Sequence, residues 1–170
     1  VSLSEVLFGD PASQNAAALP DADASGAILP PVEGLSVSAT STHVDGDPAK
    51  YSAVNVLDGD TETCWSEGVS GDGIGERLRF ELPAARAIQR IDIVSGYAKG
   101  DLYQRNSRPK RLGVMLSDGS VHHWDLRDTA EWQSFTLPQP ATVFFFELIV
   151  EEAYSGSSWS DCSISEVRVR

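Results

Sequence analysis

The sequence has few basic residues and no long apolar run. Lysine and arginine number 13 against 25 aspartates and glutamates, which gives a formal net charge of −12. This charge argues against nucleic acid or an anionic membrane surface as a partner, because both require a basic patch. The longest apolar run, residues 141–150, contains Glu147 and is too short to cross a bilayer. We therefore expect no membrane insertion.

Arrangements typical of catalytic or nucleotide-binding sites are also missing. His43 is isolated, and His122 and His123 are adjacent in a predicted strand, so their side chains point to opposite faces. No serine occupies a nucleophile-elbow pattern, and neither cysteine has a histidine close in sequence. The glycine-rich stretch 67–76 lacks the lysine and the following helix of a phosphate-binding loop. The sequence therefore predicts that the protein is not an enzyme.

The first 34 residues differ in composition from the rest. They contain no lysine or arginine, four prolines and an alanine-rich middle, which is typical of a linker. We interpret residues 1–34 as a Pro/Ala-rich, acidic and mostly irregular extension. Residues 35–170 are assigned to one domain, because a chain of this length buries a single sizeable core. The chain opens on Val1 without an initiator methionine or the basic flank of a signal peptide, as expected of a mature or trimmed chain.

Residues 35–170 show short apolar alternations separated by turn residues, which predicts an all-β fold, an antiparallel sandwich or barrel. Asp118-Gly119 is typical of a hairpin turn, because both residues tolerate the backbone angles that such turns need. Trp65, Trp124 and Trp132 are predicted to be core residues. The predicted strands are 35–40, 76–82, 88–95, 111–117, 121–126, 133–137, 142–151 and 163–170.

The segment 58–63 is a candidate Ca²⁺ loop. Asp58, Asp60 and Thr63 place two carboxylates and a hydroxyl within six residues, and Gly59 allows a tight turn. A hard cation takes six to eight oxygen ligands in irregular geometry, and Glu166 on the last strand would add another. Asp-Gly-Asp is also ordinary turn chemistry, and Glu166 also fits a solvent-facing position. A second Asp-Gly-Asp at 45–47 is interpreted as a plain loop.

Two loops carry candidate ligand-binding residues. The segment 96–109 is a long polar excursion between two predicted strands, and long loops at the end of a rigid sandwich are frequent binding sites. Its tyrosines, arginines and asparagine suit a sugar, which has an apolar ring face and a hydroxyl rim. The alternative is a structural corner in which Arg105 or Arg108 pairs with nearby acids. In the second loop, 154–159, we expect Trp159 to be exposed because its neighbours are polar.

The two cysteines lie beside landmarks at opposite ends of the domain. Cys64 precedes Trp65, and Cys162 directly precedes the last predicted strand. A sandwich that closes at this point would bring them together, so we expect a disulfide and an oxidising compartment. The alternative is two buried free thiols in a cytoplasmic protein.

Several separated segments together suggest a family. These segments, in chain order, are 51–65, 73–76, 96–110, 126–128 and 161–167. They resemble a bacterial branch of the discoidin or coagulation-factor type C domains, and specifically the glycan-binding domain attached to streptococcal NAD glycohydrolase toxins. The resemblance covers residues 35–170. It gives no reason to transfer the NAD glycohydrolase activity, because no such catalytic domain accompanies these residues.

The resemblance implies a galactose-binding-like jelly-roll β-sandwich of about eight antiparallel strands, usually a non-catalytic carbohydrate-binding module. It also implies one structural Ca²⁺, held near the loop 58–63 and Glu166. Cys64 departs from the small residue expected before Trp65, and this departure favours a specific pairing with Cys162.

Our hypothesis is a glycan-binding module of a bacterial protein that is extracellular, periplasmic or attached to the cell surface. The alternative is a docking domain for a protein partner in the cell envelope, and a glycan hydrolase is the third hypothesis. The predicted ligand-binding residues are Tyr51, Glu76, Tyr97, Tyr103, Arg105, Asn106, Arg108 and Trp159.

Overall fold

The computed structural model describes residues 30–170. Most of the predicted extension therefore lies outside the described residues. Its last residues pack on the domain: Val32 is buried in the core, and its backbone N–H donates to the carbonyl of Val169 at 2.8 Å.

The prediction of an all-β fold is confirmed. Residues 30–170 form seven strands, which are β1 (Ser36–Ala39), β2 (Trp65–Ser66), β3 (Arg77–Ser95), β4 (Arg108–Leu116), β5 (Val121–Asp125), β6 (Trp132–Tyr154) and β7 (Ser163–Val169). A 3₁₀ turn spans Ala53–Leu57, and one short helix, α1, spans Leu102–Arg105. All strand pairs are antiparallel, in the order β2-β7-β3-β6-β4-β5, with β1 paired to β3.

Two long strands replace four predicted ones. β3 has 19 residues and β6 has 23, and each spans two segments that the sequence predicts as separate strands. The predicted breaks coincide with shifts in the β3–β6 register, between Glu81 and Arg86 and between Ile88 and Arg90. Pro83 of β3 lies at the first shift, and Pro138 and Pro140 of β6 lie opposite the second, because a bulge tolerates a residue without a backbone N–H. The two-residue strand β2 is too short to give a sequence pattern.

The core lies between the inward faces of the strands. Phe80 of β3 stacks on Phe146 of β6 with ring centroids 4.7 Å apart, and both are fully buried. Trp65 and Trp124 are buried as predicted, whereas Trp132 is only partly buried beneath the guanidinium of Arg168. Within residues 30–170, no helix is long and apolar enough to cross a membrane.

The predicted disulfide is absent: Cys64 and Cys162 are both free and buried. β2 and β7 are antiparallel, and each cysteine immediately precedes its strand, so the cysteines lie at opposite ends of the ladder. Three rungs separate them, roughly 10 Å along the strands, whereas a disulfide requires Cα atoms within about 7 Å. Burial raises the pKa of Cys64 to about 12 and also raises that of Cys162. The expectation that closure of the sandwich would join the two cysteines was wrong. Closure decides which strands pair, whereas the register of β2 on β7 decides the distance between Cys64 and Cys162.

Candidate functional site

A groove with a volume of about 510 Å³ opens among the loops at one end of the fold. Its lining comes from the segment 43–51, from β2, from the loop before α1, from α1 and its C-cap, and from the loop before β7. The lining residues are His43, Asp45, Lys50, Tyr51, Ser66, Tyr97, Leu102, Asn106, Trp159 and Asp161. Distant parts of the sequence therefore meet in this groove.

Three rings of the groove lining, those of His43, Tyr51 and Tyr97, contact one another in a continuous row that we call the aromatic wall. The His43 and Tyr51 rings lie 5.3 Å apart, and the Tyr51 and Tyr97 rings lie 6.1 Å apart, both in edge-to-face geometry. Backbone contacts fix the wall: Ser66 N–H donates to the carbonyl of Tyr51, and Ala98 N–H donates to the hydroxyl of Ser165. The wall is thus attached by hydrogen bonds to β2 and β7 of the sandwich.

Trp159 is the exposed aromatic residue of the groove, with 43% of its surface accessible. Its backbone N–H and that of Ser158 donate to the carbonyl of Arg105 at 2.8 and 3.0 Å. The Arg105 guanidinium lies 4.4 Å from the Trp159 ring centroid and interacts with the ring as a cation–π pair. A Cβ on Gly156 would lie 2.3 Å from the Trp159 carbonyl oxygen, so the loop needs glycine at this position.

Polar groups interrupt the apolar lining. Lys50 Nζ donates to Asp45 at 2.8 Å and lies 5.0 Å from the Tyr51 ring centroid. The hydrogen bond between Lys50 and Asp45 lowers the pKa of Asp45 and raises that of Lys50. His43 Nδ1 lies 3.5 Å from the Asp161 carboxylate. The groove therefore offers flat apolar surfaces beside hydrogen-bonding groups.

The loop 58–63 lies apart from this groove and contacts β7. The Asp58 carboxylate accepts the Asp60 N–H at 2.8 Å and the Thr63 hydroxyl at 2.7 Å. Glu166, 3% exposed, accepts the Gly59 N–H at 3.1 Å. Burial, and next the negative charge of Asp58, raise the pKa of Glu166 to about 7. The structure thus places Glu166 against the loop that carries the other three predicted metal ligands, but within residues 30–170 no three acidic, histidine or cysteine side chains converge as a metal-ligand group.

Residues 32–170 match the family described as the NAD glycohydrolase translocation F5/8 type C domain. The chain belongs to this family. No curated protein matches the sequence.

Solved structures of carbohydrate-binding modules share the fold of this type C domain. The family 32 module of Clostridium perfringens NanJ, in complex with galactose, is 19% identical, with a TM-score of 0.63 over 79% of this chain and 92% of that chain. A second Clostridium perfringens module, in complex with GalNAc-β-1,3-galactose, is 15% identical, with a TM-score of 0.63 over 79% and 94%. A chitosan-binding module of Paenibacillus sp. IK-5 is 12% identical, with a TM-score of 0.59 over 79% and 93%. At these identities the likeness establishes the jelly-roll fold.

Four of the eight residues predicted to bind ligand line the groove of the type C domain: Tyr51, Tyr97, Asn106 and Trp159. Arg105 lies against Trp159 rather than in the lining. Glu76 lies elsewhere, where it accepts the hydroxyls of Thr40 and Ser41.

Tyr103 and Arg108 occupy a buried ion-pair network instead of the groove lining. Arg108 donates from Nε and Nη2 to the two carboxylate oxygens of Asp128 at 2.6 and 2.7 Å, and the Tyr103 hydroxyl donates to the same carboxylate at 2.9 Å. The Arg108 guanidinium holds the pKa of Asp128 below its usual value. Burial, with the Asp128 charge, raises the pKa of Tyr103. This arrangement is the structural corner that the sequence left open as an alternative.

Sequence reasoning missed several lining residues, notably His43, Asp45, Lys50 and Asp161. The first three surround the Asp-Gly-Asp turn at 45–47, which we interpreted as a plain loop. Their approach to Tyr97 and Trp159 depends on long-range pairing, such as the bond from His43 N–H to the carbonyl of Ser66 at 2.8 Å. A local signal did exist for Asp161, because it lies beside Cys162, two residues before the final strand.

Proposed function

We propose that this type C domain is a non-catalytic carbohydrate-binding module that binds glycan in the groove between Trp159 and the aromatic wall. The observation that carries the proposal is the exposed Trp159 ring, held in place by two backbone hydrogen bonds beside hydrogen-bonding side chains. The fold shared with modules solved in complex with galactose and GalNAc-β-1,3-galactose supports it.

Each part of the groove matches a part of a sugar. The Trp159 ring offers a flat apolar surface for the C–H face of a pyranose, and Arg105 on the ring restricts its orientation. Tyr51, Tyr97 and Asn106 supply polar groups for the hydroxyl rim. Because the groove is open and takes a single sugar or a short segment, affinity for one site is modest, and display of several copies would raise it.

A glycan array followed by calorimetry tests the proposal with a matched pair of variants. Trp159→Ala removes the groove surface, whereas Trp132→Ala removes a partly exposed tryptophan of β6 that is outside the lining. We expect Trp159→Ala to weaken glycan binding about tenfold, because the loss of roughly 60 Å² of buried apolar contact costs about 1.5 kcal/mol. Trp132→Ala should bind as the parent does.

Equal loss in both variants, or no loss in Trp159→Ala, would refute the groove as the site. A folded parent domain that binds no glycan on the array would overturn the glycan proposal. That result would favour the alternative, a domain that docks on a protein partner in the cell envelope. Recovery of one defined partner in the presence of excess free sugar would then support the alternative.

We also propose that the loop 58–63 and Glu166 hold Ca²⁺. Within residues 30–170, no three acidic, histidine or cysteine side chains form a metal-ligand group by themselves. Asp58, Asp60 and Thr63 would therefore need backbone carbonyls to complete a site, which Ca²⁺ accepts readily. The donors are all oxygens, and the buried Glu166 carboxylate beside Asp58 has a raised pKa that a cation would lower again. The donor set thus fits a hard cation.

Thermal unfolding with Ca²⁺ and with a chelator tests the metal site. Bound Ca²⁺ would add positive charge beside Asp58 and Glu166 and would stabilise the folded state by mass action. The melting temperature should rise with Ca²⁺ concentration in the parent but not in Asp60→Asn. No rise in the parent would refute the Ca²⁺ proposal and leave the groove proposal untouched.

We place the protein outside the cytoplasm, as a secreted or envelope-attached bacterial protein. The family to which the chain belongs and the carbohydrate-binding fold support this placement. Fractionation of the producing cells tests it, and recovery of the protein only in the cytoplasm would contradict it.

A further inference from the structure

The charges of the groove are unevenly distributed. Its lining contains two carboxylates, Asp45 and Asp161, one lysine and one histidine. Lys50 is engaged with Asp45 at 2.8 Å and with the Tyr51 ring. Asp161 is paired with His43 at 3.5 Å, and this histidine is charged only when it is protonated. The Asp161 end of the groove is therefore electronegative whenever His43 is neutral.

A buried acid reinforces this charge. Glu67 is fully buried and accepts the backbone N–H groups of Val69 at 2.7 Å and Cys162 at 3.0 Å. Its pKa is raised mainly by burial and further by the charge of Asp161 next to Cys162. The charge of Asp161 therefore disfavours the ionised form of Glu67, and a cation beside Asp161 would reduce this repulsion.

The two arginines near the groove, Arg105 and Arg108, are paired with acidic residues outside its lining. Arg105 lies over the Trp159 ring and 3.6 Å from the Asp101 carboxylate. Arg108 is buried and donates from Nε and Nη2 to Asp128 and from Nη1 to the carbonyl of Asn106. A sugar carboxylate entering the groove would meet Lys50 only beside the Asp45 carboxylate that already neutralises it, or would lie beside Asp161, and in both places it would experience like-charge repulsion.

We propose that the groove selects sugars that carry a protonated amine over neutral sugars, and neutral sugars over uronic acids, with Asp161 as the residue that receives the amine. This inference rests on the proposed glycan function of the same groove. The aromatic surfaces hold the ring of any of these sugars, so the substituent charge decides among them. Asp161 is a specificity-determining residue in this arrangement, and Trp159 supplies the common affinity.

Matched sugars isolate the effect of charge. The probes are galactosamine, galactose and galacturonic acid, with glucosamine, glucose and glucuronic acid as a second set, titrated into the protein at pH 7 and followed by NMR. We expect the amino sugar to bind about three- to tenfold more tightly than the neutral sugar, the range for a partly exposed charge pair. The uronic acid should bind most weakly. The amino-sugar preference should decrease at high salt, because exposed charges are screened.

Two variants, each of which removes one negative charge, distinguish an effect of charge in the groove from an effect of net charge. Asp161→Asn removes the carboxylate from the groove, and Glu81→Gln removes an exposed carboxylate of β3 outside the lining. We expect Asp161→Asn to bring the amino and neutral sugars to equal affinity, and Glu81→Gln to keep the parent ratio. Unchanged unfolding temperatures establish that both variants are folded.

The possible results separate this inference from the function on which it rests. If amino and neutral sugars bind equally to the parent and neither binds to Trp159→Ala, the charge preference is overturned and the proposed glycan function is supported. A preference that survives in Asp161→Asn would overturn the role of Asp161. Binding of none of the six sugars by the folded parent would overturn both proposals.

Discussion

Asp128→Asn tests whether the network beside the groove is a buried ion pair that stabilises the domain. The substitution keeps the shape of the side chain and removes its charge. In the parent, the Arg108 side chain is 5% exposed and donates two hydrogen bonds to Asp128, with a third from Tyr103. The variant leaves the Arg108 guanidinium buried without a counter-charge.

The size of the effect follows from burial. Removing one partner of a fully buried pair costs about 3 to 5 kcal/mol. Asp128 is 36% exposed, so solvent screens part of the interaction, and the side-chain amide introduced by the substitution still accepts a hydrogen bond. We therefore expect a loss of about 2 to 3 kcal/mol in the free energy of unfolding. For a domain of this size that is a decrease of roughly 6 to 10 °C in melting temperature.

Urea unfolding at several pH values measures both the size and the origin of the effect. Arg108 holds the pKa of Asp128 below its usual value, so the stabilisation is complete above the unfolded pKa. That unfolded value is near 3.9. The stabilisation decreases as the pH falls through the lower folded pKa. The difference between parent and variant should be largest at pH 7 and should shrink below about pH 4.

Asp125→Asn is the matched control. Asp125 lies 3.8 Å from Arg111, and both side chains are more than a third exposed, so its loss should cost less than about 1 kcal/mol. The reasoning would be refuted if Asp128→Asn unfolded within about 0.5 kcal/mol of the parent at pH 7. It would also be refuted if the difference stayed constant down to pH 2.5.

Three further predictions concern the loop, the thiols and the acid on β7. Gly156→Ala should cost about 1 to 3 kcal/mol and weaken glycan binding, because its Cβ would overlap the backbone that holds Trp159; urea unfolding and calorimetry measure both effects, and parent-like binding would contradict the prediction. Both thiols should resist a thiol reagent in the folded protein and react after unfolding, since they are buried; rapid labelling of the native protein would argue against this. With chelator present, Glu166→Gln should stabilise the domain at pH 8 relative to the parent, with no difference below about pH 4, because the raised pKa of Glu166 makes its protonated form the stabilising one; an equal effect at both pH values, measured by thermal unfolding, would contradict it.

Local sequence patterns located most of the strand segments and the exposed tryptophan of the groove. Alternating apolar residues gave the strand positions, because a half-buried strand repeats every two residues. The polar loop before Trp159 predicted its exposure, which the structure confirms. The same patterns did not reveal that β3 and β6 continue through their prolines, since bulges depend on the partner strand.

Patterns in sequence also could not assign roles within one loop. Tyr97 and Tyr103 lie in the same polar segment, yet Tyr97 lines the groove and Tyr103 is buried against Asp128. The difference arises from Asp128, which lies 25 residues away in sequence and forms the network with Arg108. Only the folded arrangement distinguishes a ligand-facing tyrosine from a structural one.

The sequence by itself determined the all-β fold, the position of the oxygen-rich loop at 58–63 and the family to which the chain belongs. These properties depend on the types of residues and on their order and spacing along the chain, and both can be read directly from the sequence. The tertiary structure decided that Cys64 and Cys162 remain apart, because the β2–β7 register separates them by three rungs. It also decided that His43, Lys50 and Asp161 join Trp159 in one groove. Distances between remote segments are set by strand pairing and core packing, and no local pattern specifies them.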